Sequence, residues 1–159
     1  PGETDAVKVD AAVKAYLTEV ADDLKARLAN LDMRWVAAVG RVQHPRVALS
    51  EAMRRVSKQD FTEFADSRIG SVMLAFTGTA KSTLGRSGSL YAQVLKGAQV
   101  ESEETDTGVI IRYRNYPGPV EFYPIGTIEG ACAHYRSDYT IEVNVLSPRD
   151  ADYHVRLPR

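Results

Sequence analysis

Cysteine is almost missing from this chain: Cys132 is the only one in 159 residues. A single thiol excludes an internal disulfide and any zinc site built on paired cysteines. It suits a reducing compartment, and the cytoplasm is the expected location. Histidine is scarce as well. His44, His134 and His154 are scattered, so no short metal-ligand spacing arises. An excess of either charge is lacking too, because 20 Lys and Arg face 21 Asp and Glu for a net charge of −1. That balance gives no electrostatic reason to bind nucleic acid or an anionic membrane, and neither is expected as a partner. No apolar run approaches the roughly 18 residues of a membrane span. With 44% apolar and 26% charged residues, the composition is that of an ordinary globular protein. The length suits a single domain over 1–159 with a real core. The chain opens at Pro1 instead of a methionine, and a segment of a longer protein is expected.

Legible catalytic chemistry is also absent. Gly78-Thr79-Ala80-Lys81-Ser82-Thr83 has the look of a phosphate loop, but the motif needs glycine directly before the lysine and another five residues earlier. Alanines stand at both places, Ala80 and Ala75. Pro1 leads into polar residues, so a catalytic N-terminal amine is not expected. Cys132 falls on the apolar face of a helix and reads as a small core residue with no base beside it. Glu129, next to that face, reads either as a buried acid poised for a ligand or as a solvated helix-edge residue. Arg54, Arg55 and Lys58 read as a basic helix end that suits the helix dipole. The chain is therefore expected to be no enzyme, with no catalytic residues, no metal and no cofactor.

What is present is strong periodicity. Val9, Val13, Leu17, Val20, Leu24, Leu28 and Leu31 recur every three or four residues, so 5–31 is expected to form one amphipathic helix. Its stripe suits packing on its own domain or pairing with a second copy as a homodimer. Residues 34–42 are ambiguous between helix and buried strand, with Gly40 opposing a long helix. Pro45 suits the first turn of a helix over 45–57. Asp60 with Glu63 resembles a capping box opening another helix over 61–76. The Gly/Ser/Thr-rich stretch 77–89 reads as a loop, and 89–96 as a short helix. Together 45–96 form a helical layer.

Residues 98–158 read as hairpin, helix, hairpin. Strands 98–104 and 109–115 flank the turn 105–108, and strands 139–146 and 152–157 flank the loop 147–151. A helix opening at Gly118-Pro119 and running to about Tyr135 lies between them. Val109, Ile111 and Tyr113 share a face, as do Tyr153, Val155 and Leu157 with Ile141, Val143 and Val145. Polar residues, Arg112, Glu142 and His154 among them, take the other face. One sheet face must therefore be covered by helices. Gly126 and Gly130 are expected to let their helix approach the sheet closely, a propensity cost of about 1 kcal/mol each that tight packing or a ligand must offset. The fold class is α+β: a helical layer on one face of a four-stranded, mainly antiparallel sheet.

Val109-Ile110-Ile111-Arg112-Tyr113-Arg114-Asn115 resembles the strand carrying the Tyr-x-Ser-x-Arg motif of haem-nitric-oxide/oxygen-binding domains. Glu121-Phe122-Tyr123-Pro124-Ile125-Gly126-Thr127-Ile128-Glu129-Gly130 resembles the glycine-containing helix after it. The same stretch resembles four-vinyl-reductase-type domains and a myxobacterial paralogous sensor-like family, and the superfamily fold extends to subunits of the transport-particle tethering complex. In the haem family the motif's Tyr, Ser and Arg hold the propionates; here Tyr113, Asn115 and Pro117 match them. Only the tyrosine is kept. The axial histidine would fall in 89–96, which has none. The cysteines that the four-vinyl-reductase type places near its final hairpin are missing as well.

The resemblance thus implies a haem-free sensory module of bacterial signal transduction. Its ligand would be a small, mostly apolar molecule, lined by Tyr91, Tyr113, Phe122, Tyr123, Ile125 and Cys132. The alternative it implies is an assembly module without ligand, dimerising through helix 5–31.

Overall fold

The computed structural model describes residues 33–95 and 97–158. They belong to one compact unit, Asp32–Arg159. The helix expected over 5–31 lies outside the described residues.

The ambiguous segment is a helix, α1 (Met33–Gln43). Gly40 is a contact point within it, since a Cβ there would stand 3.2 Å from Cβ of Ala52. Ala52 belongs to α2 (Leu49–Asp66), which corrects the expected division at Asp60. Nothing in the residues around Asp60 breaks a helix, and the chain runs through them. The break comes at Ser67, whose extended backbone (φ −69°, ψ 155°) ends α2. Its hydroxyl oxygen accepts the Gly70 N–H and caps α3 (Arg68–Ala75).

The loop expected over 77–89 is largely helical: α4 (Ala80–Gly85) is followed by α5 (Ser87–Val94). Its hydroxyls serve as caps and buried donors in place of solvated loop groups. Thr79 accepts the Ser82 N–H to start α4, and Ser87 donates to the Leu84 carbonyl between the two helices.

The sheet holds β1 (Gln99–Thr105), β2 (Gly108–Arg114), β3 (Thr140–Ser147) and β4 (Asp150–Arg156). The order is β1-β2-β4-β3 and every pairing is antiparallel. The two hairpins meet along their second strands, which places β1 and β3 at the edges. Thr105 pairs with Gly108, leaving Asp106-Thr107 as the turn. Ser147 pairs with Asp150, so the second turn is Pro148-Arg149 and not the five residues expected. Hydrogen bonds from Ser147 Oγ to the Asp150 carboxylate and from Arg149 N to Ser147 Oγ tighten it.

The faces sort as the alternation predicts. Val109, Ile111, Tyr113, Ala151, Tyr153 and Val155 face inward and are buried. Outward, ion pairs join Arg112 to Glu103, Arg114 to Asp152 and Arg156 to Glu142. Helices α4 and α5 lie against β1 and β2. The helix between the hairpins, α6 (Tyr123–His134), opens later than Gly118-Pro119. Residues 115–122 are instead a connection whose Tyr116 and Val120 plug into the core, an arrangement that no periodic pattern signals. The Gly126/Gly130 row faces α2 and not the sheet. A Cβ on Gly126 would come within 2.1 Å of the Arg54 carbonyl oxygen, and one on Gly130 within 2.7 Å of Cβ of Phe61. Tight helix–helix packing is what offsets the two glycines.

Candidate functional site

Tyr113 on β2 points inward and meets three other tyrosine rings. Tyr91 of α5 lies 5.7 Å away, Tyr116 of the connection 5.2 Å and Tyr153 of β4 5.4 Å, with interplanar angles of 66°, 87° and 79°. All three contacts are edge-to-face, the arrangement that a ring quadrupole favours. The strands bring Tyr153 to Tyr113 by register, because Ile111 pairs with Tyr153 and Tyr113 with Ala151. The helical layer brings Tyr91.

The tips of these rings are polar. The Tyr153 hydroxyl donates to the Val120 carbonyl. Thr127 and Tyr113 are the hydrogen-bonding neighbours that act on the Tyr91 hydroxyl. Burial raises the pKa of Tyr91, and it raises those of Tyr113 and Tyr116 further, with the neighbouring tyrosines adding to the effect. At the opening of α6, Tyr123 donates to Asp60 Oδ2 over 2.7 Å. Its carbonyl accepts the Ser57 hydroxyl at 2.6 Å, and Ser57 also meets Thr127 Oγ1 at 2.8 Å. Asp60 is thus an acceptor in the middle of α2 and not a cap.

A second polar group lies further along α6. Glu129 is buried, at 6% exposure. Arg54 grips both of its carboxylate oxygens, with Nε 2.8 Å from Oε2, and the Tyr139 hydroxyl donates to Oε1 at 3.1 Å. Burial by itself would raise the Glu129 carboxyl, but the Arg54 hydrogen bond and charge hold it below its ordinary value. Burial, with Glu129 next, pushes Tyr139 up to about 12. The reading of Glu129 as a solvated edge residue is therefore corrected. So is the reading of Arg54 and Arg55 as a helix end: both lie inside α2, Arg54 bound to Glu129 and Arg55 to Glu51.

Of the six residues read from the sequence, Tyr91 and Tyr113 are in direct ring contact. Tyr123 sits beside them across Thr127 but is anchored to α2. Phe122 and Ile125 are half-buried at the start of α6. Cys132 is fully buried, and burial followed by the Glu129 charge pushes its thiol up to about 11. A thiol so placed is not activated. Tyr116 and Ser57 carry no signal in the sequence. Asp60 reads there as a cap and Arg54 as a helix end, and Glu129 beside an apolar helix face is the one pointer toward the pair that the structure forms. Among the described residues, open hollows lie away from the nest, one by the β1–β2 turn and His154 and another between His44 and Ala52.

The residues do not fit a haem. Helix α5 holds no histidine. His44 lies between α1 and α2, His154 is exposed on the outer sheet face, and His134 packs edge-on against Phe61 and Tyr135 at the end of α6. Asn115, at φ 52°, spends its side-chain donor on the Gly97 carbonyl and its N–H on Asp150. Tyr113 is enclosed by other rings, and Pro117 can hold no propionate. Among the described residues no three His, Cys, Asp or Glu side chains group as metal ligands, and no helix is long and apolar enough to cross a membrane.

Comparison with known proteins now gives this arrangement a setting. A family model described as "Protein of unknown function (DUF2378)" matches residues 9–156. No curated protein matches. Among solved structures, the chain resembles an H-NOX protein from S. oneidensis in the Fe(II)NO ligation state, with a TM-score of 0.58 at 11% identity over 74% of this chain and 69% of that one. It also resembles the Fe(II) unliganded H-NOX protein from K. algicida, with a TM-score of 0.59 at 13% identity over 74% and 67%. At these TM-scores the fold is shared: the chain has an H-NOX-like architecture.

Proposed function

The chain belongs to the DUF2378 family of proteins of unknown function, and from that premise we propose that it is a haem-free sensory module of bacterial signal transduction that binds a small, mostly apolar ligand in the cytoplasm. One observation carries the reading. Tyr113, where the sequence resembles the haem family's motif tyrosine, is the centre of an aromatic nest on an H-NOX-like frame. Rings with hydroxyl tips offer an apolar guest both contact area and orientation. The nest is closed by its own rings, so the guest enters by displacing one of them, Tyr91 being the member that is half-buried and not fully enclosed. That coupling of occupancy to ring position is what a sensor needs.

Protein purified from haem-supplemented cells tests the proposal through its visible absorbance, native mass and melting temperature. A Soret band at one haem per chain would overturn the haem-free reading. A colourless protein carrying a releasable organic adduct, or stabilised by small aromatic or aliphatic compounds, is the expected result. A colourless protein without an adduct and indifferent to such compounds would remove the ligand.

A second reading, assembly without ligand, is favoured by α3. Its Ile69 and Val72, with Phe76 at its end, are 64%, 54% and 78% exposed and are spaced by three and four, so they share a face. In that reading the segment 5–31 supplies the homodimer contact, and sedimentation of the full chain would show a dimer with no adduct.

A further inference from the structure

The two edges of the sheet are guarded very differently. Edge strand β1 carries Glu101, Glu103 and Glu104, and it is backed by α4 and α5. Self-pairing there would set carboxylates against carboxylates. Edge strand β3, Thr-Ile-Glu-Val-Asn-Val-Leu-Ser, has no proline and no lysine, and its one charge is Glu142. Among the described residues only β4 pairs with it, so alternate backbone groups along its outer side have no strand partner there. Its inward row is unfinished. Ile141 and Val143 are half-buried, and Val145 is 44% exposed.

The composition of this edge selects a partner. Residues 141–145 read Ile-Glu-Val-Asn-Val, which is self-complementary when run antiparallel about Val143. Val143 then faces Val143, and Ile141 faces Val145, joining two half-covered apolar rows. On the outer face Glu142 meets Asn144, a carboxylate opposite an amide donor. Centring on Glu142 would oppose two carboxylates. Centring on Asn144 would set Glu142 against Leu146 and bring in the register shift between Val145 and Ser147. The shift also ends the pairing after Val145, because a bulge turns an edge away.

We propose that β3 is a homodimer interface in which residues 141–145 pair antiparallel with the same residues of a second copy, Val143 on the twofold axis. Two four-stranded sheets become one continuous sheet, and the apolar rows of the copies merge on the helix-bearing side. The interface does not depend on a ligand.

Sedimentation of the full chain across micromolar concentrations provides the test, with Asn144→Glu and the double variant Glu142→Lys/Asn144→Glu. Both positions are exposed on the outer face, so neither change disturbs the core. The unmodified chain is expected to dimerise. Asn144→Glu sets two pairs of carboxylates face to face and should weaken the dimer roughly ten-fold. The double variant turns both into Lys–Glu pairs and should restore it. A chain that stays monomeric overturns the proposal. So does a dimer that Asn144→Glu leaves unchanged, which would mean that another surface pairs.

Discussion

Arg54 and Glu129 lie 75 positions apart in sequence, yet the guanidinium of one grips both oxygens of the other's carboxylate. The pair binds α2 to α6, and Tyr139 extends it to the start of β3. Arg54 keeps 42% of its side chain exposed while Glu129 keeps 8%. The pair is therefore unequal: losing the arginine leaves a carboxylate in the interior. Arg54→Ala should cost on the order of 2 kcal/mol, less than a fully buried pair because solvent still reaches the guanidinium side. Chemical denaturation measures it. A loss within error of zero would mean that Tyr139 and water suffice for Glu129.

The same pair sets an acid response. Glu129 is held below its ordinary value of 4.5 in the folded protein. Its contribution is therefore fully present above that pH and is lost as pH falls through the depressed folded value. Stability should decline on acidification below 4.5, and Glu129→Gln should flatten the decline while lowering stability at neutral pH. Melting temperatures of the two proteins between neutral and acid pH give the comparison. Parallel curves would assign the acid response to other carboxylates.

Close approach of α2 and α6 makes Gly126 intolerant of even one methyl group. Gly126→Ala improves helix propensity by about 1 kcal/mol, but its Cβ would overlap the Arg54 carbonyl oxygen. Forcing the helices apart should outweigh the gain and leave a net loss of about 2 kcal/mol or more. Thermal unfolding checks the sign, and a stabilised variant would contradict the packing described.

Alkaline titration should find the nest silent until the fold opens. Burial holds Tyr91, Tyr113, Tyr116, Tyr123 and Tyr153 above the ordinary value of 10.0. A raised folded pKa contributes stability below 10.0 that is lost as pH rises beyond it. Phenolate absorbance from these residues should appear together with the loss of helical circular dichroism. Phenolate formation by all five in a chain that is still folded would show the nest to be open to water.

The hairpins were legible because strand alternation and turn residues are local. Asp106-Thr107-Gly108 and the period-two rows at Val109 and Tyr153 needed nothing from elsewhere in the chain. The helical layer was less so. Asp60 resembles a cap in sequence, but its partner Tyr123 arrives from α6, and Ser67, which does cap, sits inside an apolar run, Phe64-Ala65 before it and Ile69 after it, that reads as one unbroken helix. The hydroxyls of Thr79 and Ser87 made helices look like loop. Tyr113 and Cys132 were readable as buried from their faces. Tyr116 and Val120 lie in an irregular connection and gave no period to read. The Arg54–Glu129 pair depends on helix packing that no local window contains.

The strand order also sets a schedule for folding. Each hairpin closes through a two-residue turn, so β1–β2 and β3–β4 can form quickly and separately. The seam between β2 and β4 is different in kind: Tyr113 meets Ala151 only after the connection and α6 have crossed between them. Closing that long loop is expected to fall late and to govern the rate. Ile111→Val, on the seam, should slow folding more than Ile141→Val in the outer hairpin, as stopped-flow kinetics would resolve. A chain held at that stage would present two finished hairpins with unpaired inner edges, so the seam is where crowding or a chaperone would most affect its fate.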